Sequence, residues 1–338
     1  MRNILNDSET SGNISLCYDS VNNSCPKFTY PIVIQASLYI FFGMTVVATV
    51  VGNLLVIISV LHFKQLQTPT NYLILSLAIA DLLVGGIIMP PSVIRTVESC
   101  WYLGELFCKI HSGIDVMCCT ASIIILLMIS FDRYYAVCHP LLYKSKITFS
   151  TIGIMTSISW VVPAVYAYML TFQELNISGV QAFSNSAVCE GSCILLQSML
   201  ASALASTFYI PCIILVSIYV KIFLVAQEQA RSVQIMNATR KSSLTKMERK
   251  ATKTLAIIMG VFLLAWIPYN LVFTIDPHFG YTTPQLIFDV VTWIGYLNST
   301  CNPVVYAYFY SWFRHAFQII ISGKIFQKCS SRIQLFSV

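Results

Sequence analysis

Seven long apolar segments constrain the fold of this chain more than any other feature. They cover residues 33–61, 70–95, 106–138, 150–171, 196–226, 250–275 and 284–309. A helix of about 20 apolar residues crosses the hydrocarbon core of a bilayer. The chain is 57% hydrophobic and 10% charged, whereas soluble domains average about 25% charged residues. We therefore predict an all-α membrane protein, folded as a seven-transmembrane helix bundle.

The positive charges predict how the bundle is oriented. Lys64, Lys144 and Lys146 follow the first and third spans. A basic cluster follows the fifth span and comprises Arg231, Arg240, Lys241, Lys246, Arg249, Lys250 and Lys253. Basic connections stay on the cytoplasmic side of a membrane. We expect a plasma-membrane protein with its amino terminus outside and its carboxyl terminus in the cytoplasm. The net charge of +6 therefore requires no nucleic-acid partner.

The two ends of the chain flank the transmembrane domain, which we place at residues 33–309. Residues 1–32 form a predicted extracellular segment with glycosylation patterns at Asn6, Asn13 and Asn22, and Asn176 adds one in the third outer connection. Residues 310–338 form the cytoplasmic end. Its stretch SWFRHAFQIIISGKIF, residues 311–326, predicts an amphipathic helix that lies against membrane lipid.

Half of the twelve cysteines lie in or near the predicted outer segments. They are Cys17, Cys25, Cys100, Cys108, Cys189 and Cys193. An oxidising exterior permits disulfide bonds, but cysteine positions in a sequence do not fix the pairing.

Asp115 is the most informative polar residue. It lies in IHSGIDVMCC, residues 111–120, seven residues after Cys108 and about two helical turns below the outer surface. A charge at that depth costs several kcal/mol and marks a functional site. The outer halves of spans five, six and seven contain no Lys or Arg. The carboxylate is therefore either protonated and bonded within the protein or the counter-ion of a ligand ammonium. We favour the second reading.

Other polar residues recur inside the spans in a characteristic order. Span one contains VGNLLV, span two SLAIADLLVG, span three SFDRYYAV, span six FLLAWIPY and span seven NSTCNPVVYAYFY. Asp115 and Arg133 are eighteen residues apart, which is about 27 Å along a helix. The two charges therefore lie near opposite membrane faces.

These segments resemble the rhodopsin-like (class A) G-protein-coupled receptors over essentially the whole chain. Within that class the chain is similar to the trace amine-associated receptors. LNSTCNPVVYAYFYSWFRHAF (297–317), HFKQLQTPTNYLILSLAIADLL (62–83), VESCWYLGELFCKIH (97–111) and YYAVCHPLLYKSKIT (134–148) carry the likeness. The resemblance implies a small-molecule amine ligand and a heterotrimeric G protein of the stimulatory type. It further implies a rise in cyclic AMP and a role in olfaction.

The resemblance also implies a ligand site around Asp115. Tyr296 would hold the carboxylate by a hydrogen bond. The other expected site residues are Val116, Cys119, Thr207, Trp266, Tyr269, Asn270, Phe273 and Trp293. A small monoamine is the preferred ligand. A diamine or polyamine is the alternative, with its second ammonium on Asp276, Asp289 or Glu190, and a biogenic-amine receptor is a further one.

A second set of residues resembles the machinery that transmits a signal in this class. Arg133 would pair with Asp132 and with Glu248 at the inner start of span six. The other members are Tyr134, Ile123, Pro211, Phe262, Tyr219, Asn302, Pro303 and Tyr306. Asp81 with Ser122, Asn298 and Ser299 resembles a sodium site, and a water-filled network around a protonated Asp81 is the alternative. Sodium is the one cofactor that we expect.

The resemblance implies two disulfide bonds. Cys108 would pair with Cys193, and Cys17 with Cys189, with exchange of partners between Cys189 and Cys193 left open.

Three other classes of function fit the sequence less well. A transporter would show internal repeats, and none is present. An enzyme would need a metal or nucleophile motif, but the five histidines form no such spacing, so we predict no enzymatic activity. A light sensor of this fold would carry a lysine where Tyr296 stands.

Overall fold

The structure is a computed structural model that describes residues 15–21, 23–27, 30–172, 189–193, 200–235, 243–279 and 282–335. Within these ranges, residues 200–206, 229–235, 243–255 and 277 are described by their backbone alone. The predicted glycosylation sites Asn6, Asn13, Asn22 and Asn176 lie outside the described residues. The side chains of Glu248 and of the basic cluster 231–253 do as well.

Long helices dominate the described chain. They are α1 (Ile32–His62), α2 (Pro69–Leu83), α3 (Met89–Glu98), α4 (Gly104–Cys138), α5 (Pro140–Lys146), α6 (Phe149–Phe172), α7 (Leu200–Ile235), α8 (Ser243–Ile275), α9 (Gln285–Phe309) and α10 (Ser311–Ile321). A π-helical segment, Val84–Ile88, joins α2 and α3 into one span.

The helices confirm the predicted class of fold. In the described chain, six helical segments, Ile32–His62, Pro69–Glu98, Gly104–Cys138, Phe149–Thr171, Thr207–Glu228 and Ala256–Ile275, are long and apolar enough to cross a membrane. The seventh predicted span corresponds to α9, whose 25 residues extend about 37 Å. The protein is thus an all-α membrane protein with a seven-helix bundle.

Burial in the bundle is the reverse of burial in a soluble protein. Large apolar side chains such as Leu264 (75% exposed) point outward, because lipid is as apolar as they are. Polar side chains such as Asn53, Asp81 and Asp132 are fully buried, because only the interior offers them hydrogen-bond partners.

The π-helical segment Val84–Ile88 determines the path of the outer half of span two. A Cβ on Gly85 would lie 2.8 Å from Thr49 Cγ2, so the glycine allows α1 and span two to approach closely. The wider turn also leaves the Ile88 carbonyl oxygen 3.0 Å from His111 Nε2 on α4. A π-bulge of this kind re-aims the residues that follow it, here those of α3.

The amino-terminal segment is joined to the outer connections by disulfides, and one predicted pairing is wrong. Cys108 is bonded to Cys193, as expected. Cys17 is bonded to Cys100 rather than to Cys189, and Cys25 takes Cys189. The backbone explains the exchange, because Cys25 N donates to Glu190 O over 2.9 Å and so holds Cys25, not Cys17, beside Cys189.

Glu98 adds a polar anchor to the same outer frame, which the sequence analysis missed. Its carboxylate accepts hydrogen bonds from Lys27 Nζ at 2.8 Å, Tyr102 OH at 2.8 Å and Tyr39 OH at 2.7 Å. These donors come from the amino-terminal segment, the first outer connection and α1. The hydrogen bond to Glu98, followed by that to Tyr102, raises the pKa of Lys27.

The amphipathic helix is shorter than predicted. It ends at Ile321 rather than near residue 326, because Gly323 adopts φ +71° and turns the chain back. Phe313, Ala316 and Ile319 are its buried face.

Candidate ligand-binding site

A cavity opens between the helices at the depth of Asp115. Its volume is about 110 Å³, and α4, α6, α7, α8 and α9 all contribute to its wall. It contains nine of the ten predicted site residues, namely Asp115, Val116, Cys119, Thr207, Trp266, Tyr269, Asn270, Phe273 and Tyr296. The structure therefore brings together, from four helices, residues that are up to 181 positions apart.

Asp115 is held by two neutral donors. Tyr296 OH donates to Oδ2 over 2.8 Å, and the Cys119 thiol, one turn further along α4, donates to Oδ1 over 3.4 Å. No ion pair to Asp115 occurs within the described residues. Neutral donors orient a carboxylate without cancelling its charge, so this arrangement suits a cationic guest.

One predicted site residue lies elsewhere. Trp293 does not line the cavity, because its ring stacks on Phe42 of α1 at 4.0 Å and its indole Nε1 donates to Thr96 over 3.0 Å. The Trp293 side chain lies on a different face of α9 from the residues that line the cavity. Its ring packs edge to face against the ring of Tyr296, with the two centroids 5.6 Å apart.

The cavity also contains residues that the sequence analysis missed. They are Thr120, Leu170, Thr171, Phe208 and Thr292. Thr171 reaches the site because α6 packs tightly on α4, where a Cβ on Gly113 would lie 3.2 Å from Thr171 Oγ1. A neutral residue in an apolar span gives no sign of which neighbour it faces, and only the helix packing decides this.

Aromatic rings form the wall opposite α4. Trp266 meets Tyr269 edge to face at 5.8 Å, and Tyr269 stacks on Phe273 at 5.8 Å. Trp266 is also close to α9, since a Cβ on Gly295 would lie 3.0 Å from its ring carbons. Aromatic faces attract cations by about 0.5–2 kcal/mol each, which adds to the attraction of Asp115.

The acids proposed for a second ammonium are not in this cavity. Asp276 is buried and accepts the Thr283 backbone N–H over 2.9 Å, so it caps the turn between α8 and α9. Asp289 accepts from Gln285 Nε2 over 3.3 Å. Glu190 is exposed, and its backbone is bonded to the amino-terminal segment.

Arg95 on α3, in span two, is a cation that the sequence analysis overlooked. It lies in the last turn of α3. Its Nε is buried and has no hydrogen-bond partner within the described residues. Lys109, at the outer end of α4, is engaged with Glu105 over 2.8 Å. Arg95 therefore adds a positive charge near the outer end of span two, outside the cavity lining.

Comparisons with known proteins identify the family. The family described as "7 transmembrane receptor (rhodopsin family)" matches residues 52–306. Trace amine-associated receptor 1 of Macaca mulatta is 48% identical over 95% of this chain and 98% of its own. The chain belongs to the trace amine-associated receptors of the rhodopsin family. It is therefore a receptor and not an enzyme.

Two further relatives agree with this assignment. Trace amine-associated receptor 4 of Mus musculus is 44% identical, with 97% of each chain covered. Trace amine-associated receptor 13c of Danio rerio is 42% identical over 95% of this chain and 96% of its own. The likeness therefore extends over nearly the full length of the receptor.

Asp81 is the centre of a second buried polar site in the receptor. Asn302 Nδ2 donates to Asp81 Oδ2 over 2.7 Å, and Ser299 lies beside the same carboxylate. Asp81 Oδ1, Asn53 Oδ1 and Asn298 Oδ1 are buried without a protein partner among the described residues. Ser122 Oγ donates to the Cys118 carbonyl over 2.9 Å. Oxygen atoms of this kind suit a hard cation or water.

The inner end of α4 holds Arg133 against the protein in the receptor. Arg133 pairs with Asp132, and its Nη2 donates to Thr70 Oγ1 over 2.8 Å. Tyr143 of α5, which we did not predict, donates to Asp132 Oδ1 over 2.9 Å. Burial and the neighbouring Asp132 raise the pKa of Tyr143, so its hydroxyl keeps its proton.

The remaining predicted signalling residues lie between the cavity and this inner end. Ile123 and Phe262 are buried in the main core and line the cavity floor, with Phe208 stacked on Phe262 at 6.4 Å. Pro211 and Pro303 lie inside α7 and α9. Tyr219 is in hydrogen-bond contact with the Ser130 side chain. The Tyr306 ring stacks on the Phe313 ring, with centroids 5.5 Å apart. Lys221 Nζ lies 5.3 Å from the centroid of the Tyr134 ring.

Proposed function

We propose that the receptor detects a small amine, whose ammonium pairs with Asp115. The observation that carries the proposal is a half-buried carboxylate at the cavity wall, oriented by Tyr296 and Cys119, in a cavity that aromatic rings also line. The names of the relatives, trace amine-associated receptors, support the same class of ligand.

A monoamine suits the cavity better than a diamine or polyamine. Its volume of about 110 Å³ is similar to that of an engineered cavity of about 150 Å³ that binds benzene. Asp276, Asp289 and Glu190 do not line it, so a second ammonium would have to reach outside the cavity to pair with any of them. Thr207 is the residue at the α7 side with a hydroxyl for a polar ring substituent.

We propose that the amino terminus is extracellular and the carboxyl terminus cytoplasmic, in the plasma membrane. Disulfides persist in oxidising compartments, and the three disulfides of the described chain cluster on the amino-terminal side of the bundle. The basic connections lie on the other side.

We propose that a stimulatory heterotrimeric G protein binds the inner face of the receptor after that face has opened. This coupling raises cyclic AMP. We further propose that the receptor serves olfaction. The support is the family resemblance and the Arg133 cluster. Release of Arg133 from Asp132, and from Glu248 if that pair forms, would allow α8 to move outward. A ligand shifts this equilibrium only by its differential affinity for the two states. Replacing Glu248 by Ala should then raise ligand-free signalling.

A sodium ion at Asp81 is our proposal for the second polar site. The unpartnered oxygens of Asp81, Asn53 and Asn298 support it, and they equally accommodate ordered water around a protonated Asp81.

A panel of mono-, di- and polyamines with a cyclic-AMP readout tests the proposal. Asp115→Asn should lower the potency of every active amine by roughly a hundredfold or more, because it leaves a buried ammonium unpaired. For monoamines the matched control is Asp289→Asn, which removes a carboxylate outside the cavity. Surface expression measured by an amino-terminal epitope separates loss of binding from loss of folding. A full response of Asp115→Asn would refute the counter-ion role.

A further inference from the structure

A carboxylate at the outer end of span two binds an ammonium group that belongs to the receptor itself. Lys27 Nζ lies 2.8 Å from Glu98 Oε2, and two tyrosines, Tyr39 and Tyr102, bond the same carboxylate. We call Glu98, Tyr39 and Tyr102 the outer acid site. None of these residues lines the cavity at Asp115, so the function proposed above does not use them.

The two tyrosine hydroxyls hold the carboxylate of the outer acid site in place. Tyr39 OH of α1 donates to Glu98 Oε1 over 2.7 Å, and Tyr102 OH donates to Oε2 over 2.8 Å. Both donors are neutral, so they orient the carboxylate and leave its charge to be balanced by a cation. Tyr296 gives Asp115 the same kind of support.

The ammonium of Lys27 shows which group the outer acid site recognises. Besides its contact with Glu98, Lys27 Nζ donates to Tyr102 OH over 3.1 Å and lies 5.8 Å from the centroid of the Tyr102 ring. A primary ammonium has three N–H donors and can make both hydrogen bonds. A quaternary ammonium has no donor, so only the attraction of its charge to the carboxylate and the ring remains.

The pair between Lys27 and Glu98 is in contact with water. The two side chains are 28% and 21% exposed, and ion pairs that water reaches contribute little to stability. Lys27 follows Cys25 by two residues, and the disulfide from Cys25 to Cys189 fixes the chain there. A short tether gives an effective concentration of about millimolar order. A free ammonium at such a concentration therefore competes with Lys27 for the carboxylate.

We propose that the outer acid site is a second, low-affinity amine site, which takes primary alkylammonium ions in exchange for the Lys27 ammonium. The bound ion takes the position that Lys27 Nζ has in the structure. The exchange forms and breaks hydrogen bonds only, and its charge balances because one cation replaces another. Lys27 then turns to solvent, while the disulfides at Cys17 and Cys25 keep the amino-terminal segment attached.

The experiment measures binding of n-butylammonium, which has the carbon count and the charge of a lysine side chain. Saturation-transfer difference NMR is recorded on the purified full-length receptor in lipid nanodiscs, which expose both faces. Every sample carries Asp115→Asn, so the comparison between variants does not depend on whether Asp115 binds a ligand. Lys27→Ala removes the built-in competitor. A further variant combines Lys27→Ala with Glu98→Gln and so removes the charge of the carboxylate as well.

The matched control variant is Lys109→Ala. Lys109 Nζ lies 2.8 Å from Glu105 Oε1, so this variant also takes a lysine away from a carboxylate at the outer end of the bundle. The side chain of Glu105 is 83% exposed, however, whereas tyrosines bond Glu98. N,N,N-trimethylbutylammonium is the control ligand, because it has the charge but no N–H donor.

We expect the apparent dissociation constant of n-butylammonium to fall about threefold to tenfold in Lys27→Ala, because Glu98 is then free in every molecule. Glu98→Gln should abolish this gain, and Lys109→Ala should match the parent receptor. The trimethyl analogue should bind at least about tenfold more weakly than n-butylammonium, since hydrogen bonds to a charged group are strong. Misfolding lowers binding, so it does not imitate a gain.

Any of four results would overturn the proposal. They are an unchanged affinity in Lys27→Ala, a gain that survives Glu98→Gln, an equal gain in Lys109→Ala, and equal binding of the trimethyl analogue. The third result would mean that any carboxylate on the outer surface attracts the ion, and the fourth that charge alone decides binding.

Discussion

The Tyr296 hydroxyl lies 2.8 Å from Asp115 Oδ2, which joins α9 to α4 at the cavity. The tyrosine is 1% exposed, so its ring position is set by packing and not by the ligand. The bond therefore holds the carboxylate in one orientation, which would reduce the ordering that binding of the proposed amine has to supply.

Tyr296→Phe should lower the potency of an activating amine by roughly tenfold to a hundredfold, because a hydrogen bond to a charged group contributes about 1.5–3 kcal/mol. Tyr269→Phe is the control, since it removes a hydroxyl from the same cavity that makes no hydrogen bond to Asp115 in the described structure. Concentration–response curves in cells with matched surface expression measure both. Equal losses in the two variants would argue against an orienting role for Tyr296.

Gly295→Ala should destabilise the receptor by about 1–3 kcal/mol through overpacking. The added Cβ would lie 3.0 Å from three carbons of the Trp266 ring, so the ring has to move away from α9. Gly43→Ala is the control, because no heavy atom lies within 4 Å of that Cβ. The thermal midpoint in one detergent should fall in the first variant and not in the second. A wild-type midpoint and potency in Gly295→Ala would contradict the close packing.

Non-reducing proteolysis and mass spectrometry should recover a peptide that links Cys17 to Cys100 and another that links Cys25 to Cys189. Cys17→Ser and Cys100→Ser should cost similar amounts of stability, and the double variant should cost no more, because all three lack the same bond. Recovery of a Cys17–Cys189 peptide would restore the pairing that the family resemblance implied.

Tyr143→Phe should raise ligand-free cyclic-AMP signalling. The hydroxyl donates to the charged Asp132 Oδ1 over 2.9 Å, and losing a bond of about 1.5–3 kcal/mol shifts a two-state equilibrium by roughly tenfold to a hundredfold. Tyr308→Phe, on an exposed side of α9, is the control. Basal signalling is compared at equal surface expression, and an unchanged level in Tyr143→Phe would count against a restraint on Arg133 from α5.

Sodium should raise the thermal midpoint of the receptor relative to potassium at equal ionic strength, since an ion that binds the folded state stabilises it. Asp81→Asn should remove the difference between the two salts. If the wild-type receptor responds equally to both ions, a water network around Asp81 replaces sodium as the explanation.

The sequence by itself determined the membrane class and the seven spans, and it singled out Asp115 as a charge within span three. These follow from local properties, because hydropathy sums over neighbouring residues and a charge in an apolar run is costly wherever the helix packs. The depth of Asp115 relative to Cys108 and Arg133 also follows from the helical rise alone. The resemblance then supplied most of the cavity residues.

Only the tertiary structure decided which distant groups meet. It moved Trp293 out of the cavity, brought Thr171 in, and exchanged the partners of Cys17 and Cys25. It also placed the Tyr143 hydroxyl on the Asp132 carboxylate. These contacts are determined by how each helix is rotated, by close packing at glycines, and by the path of the outer segments. All three depend on packing between residues that are far apart in the chain, so a local sequence pattern does not predict them.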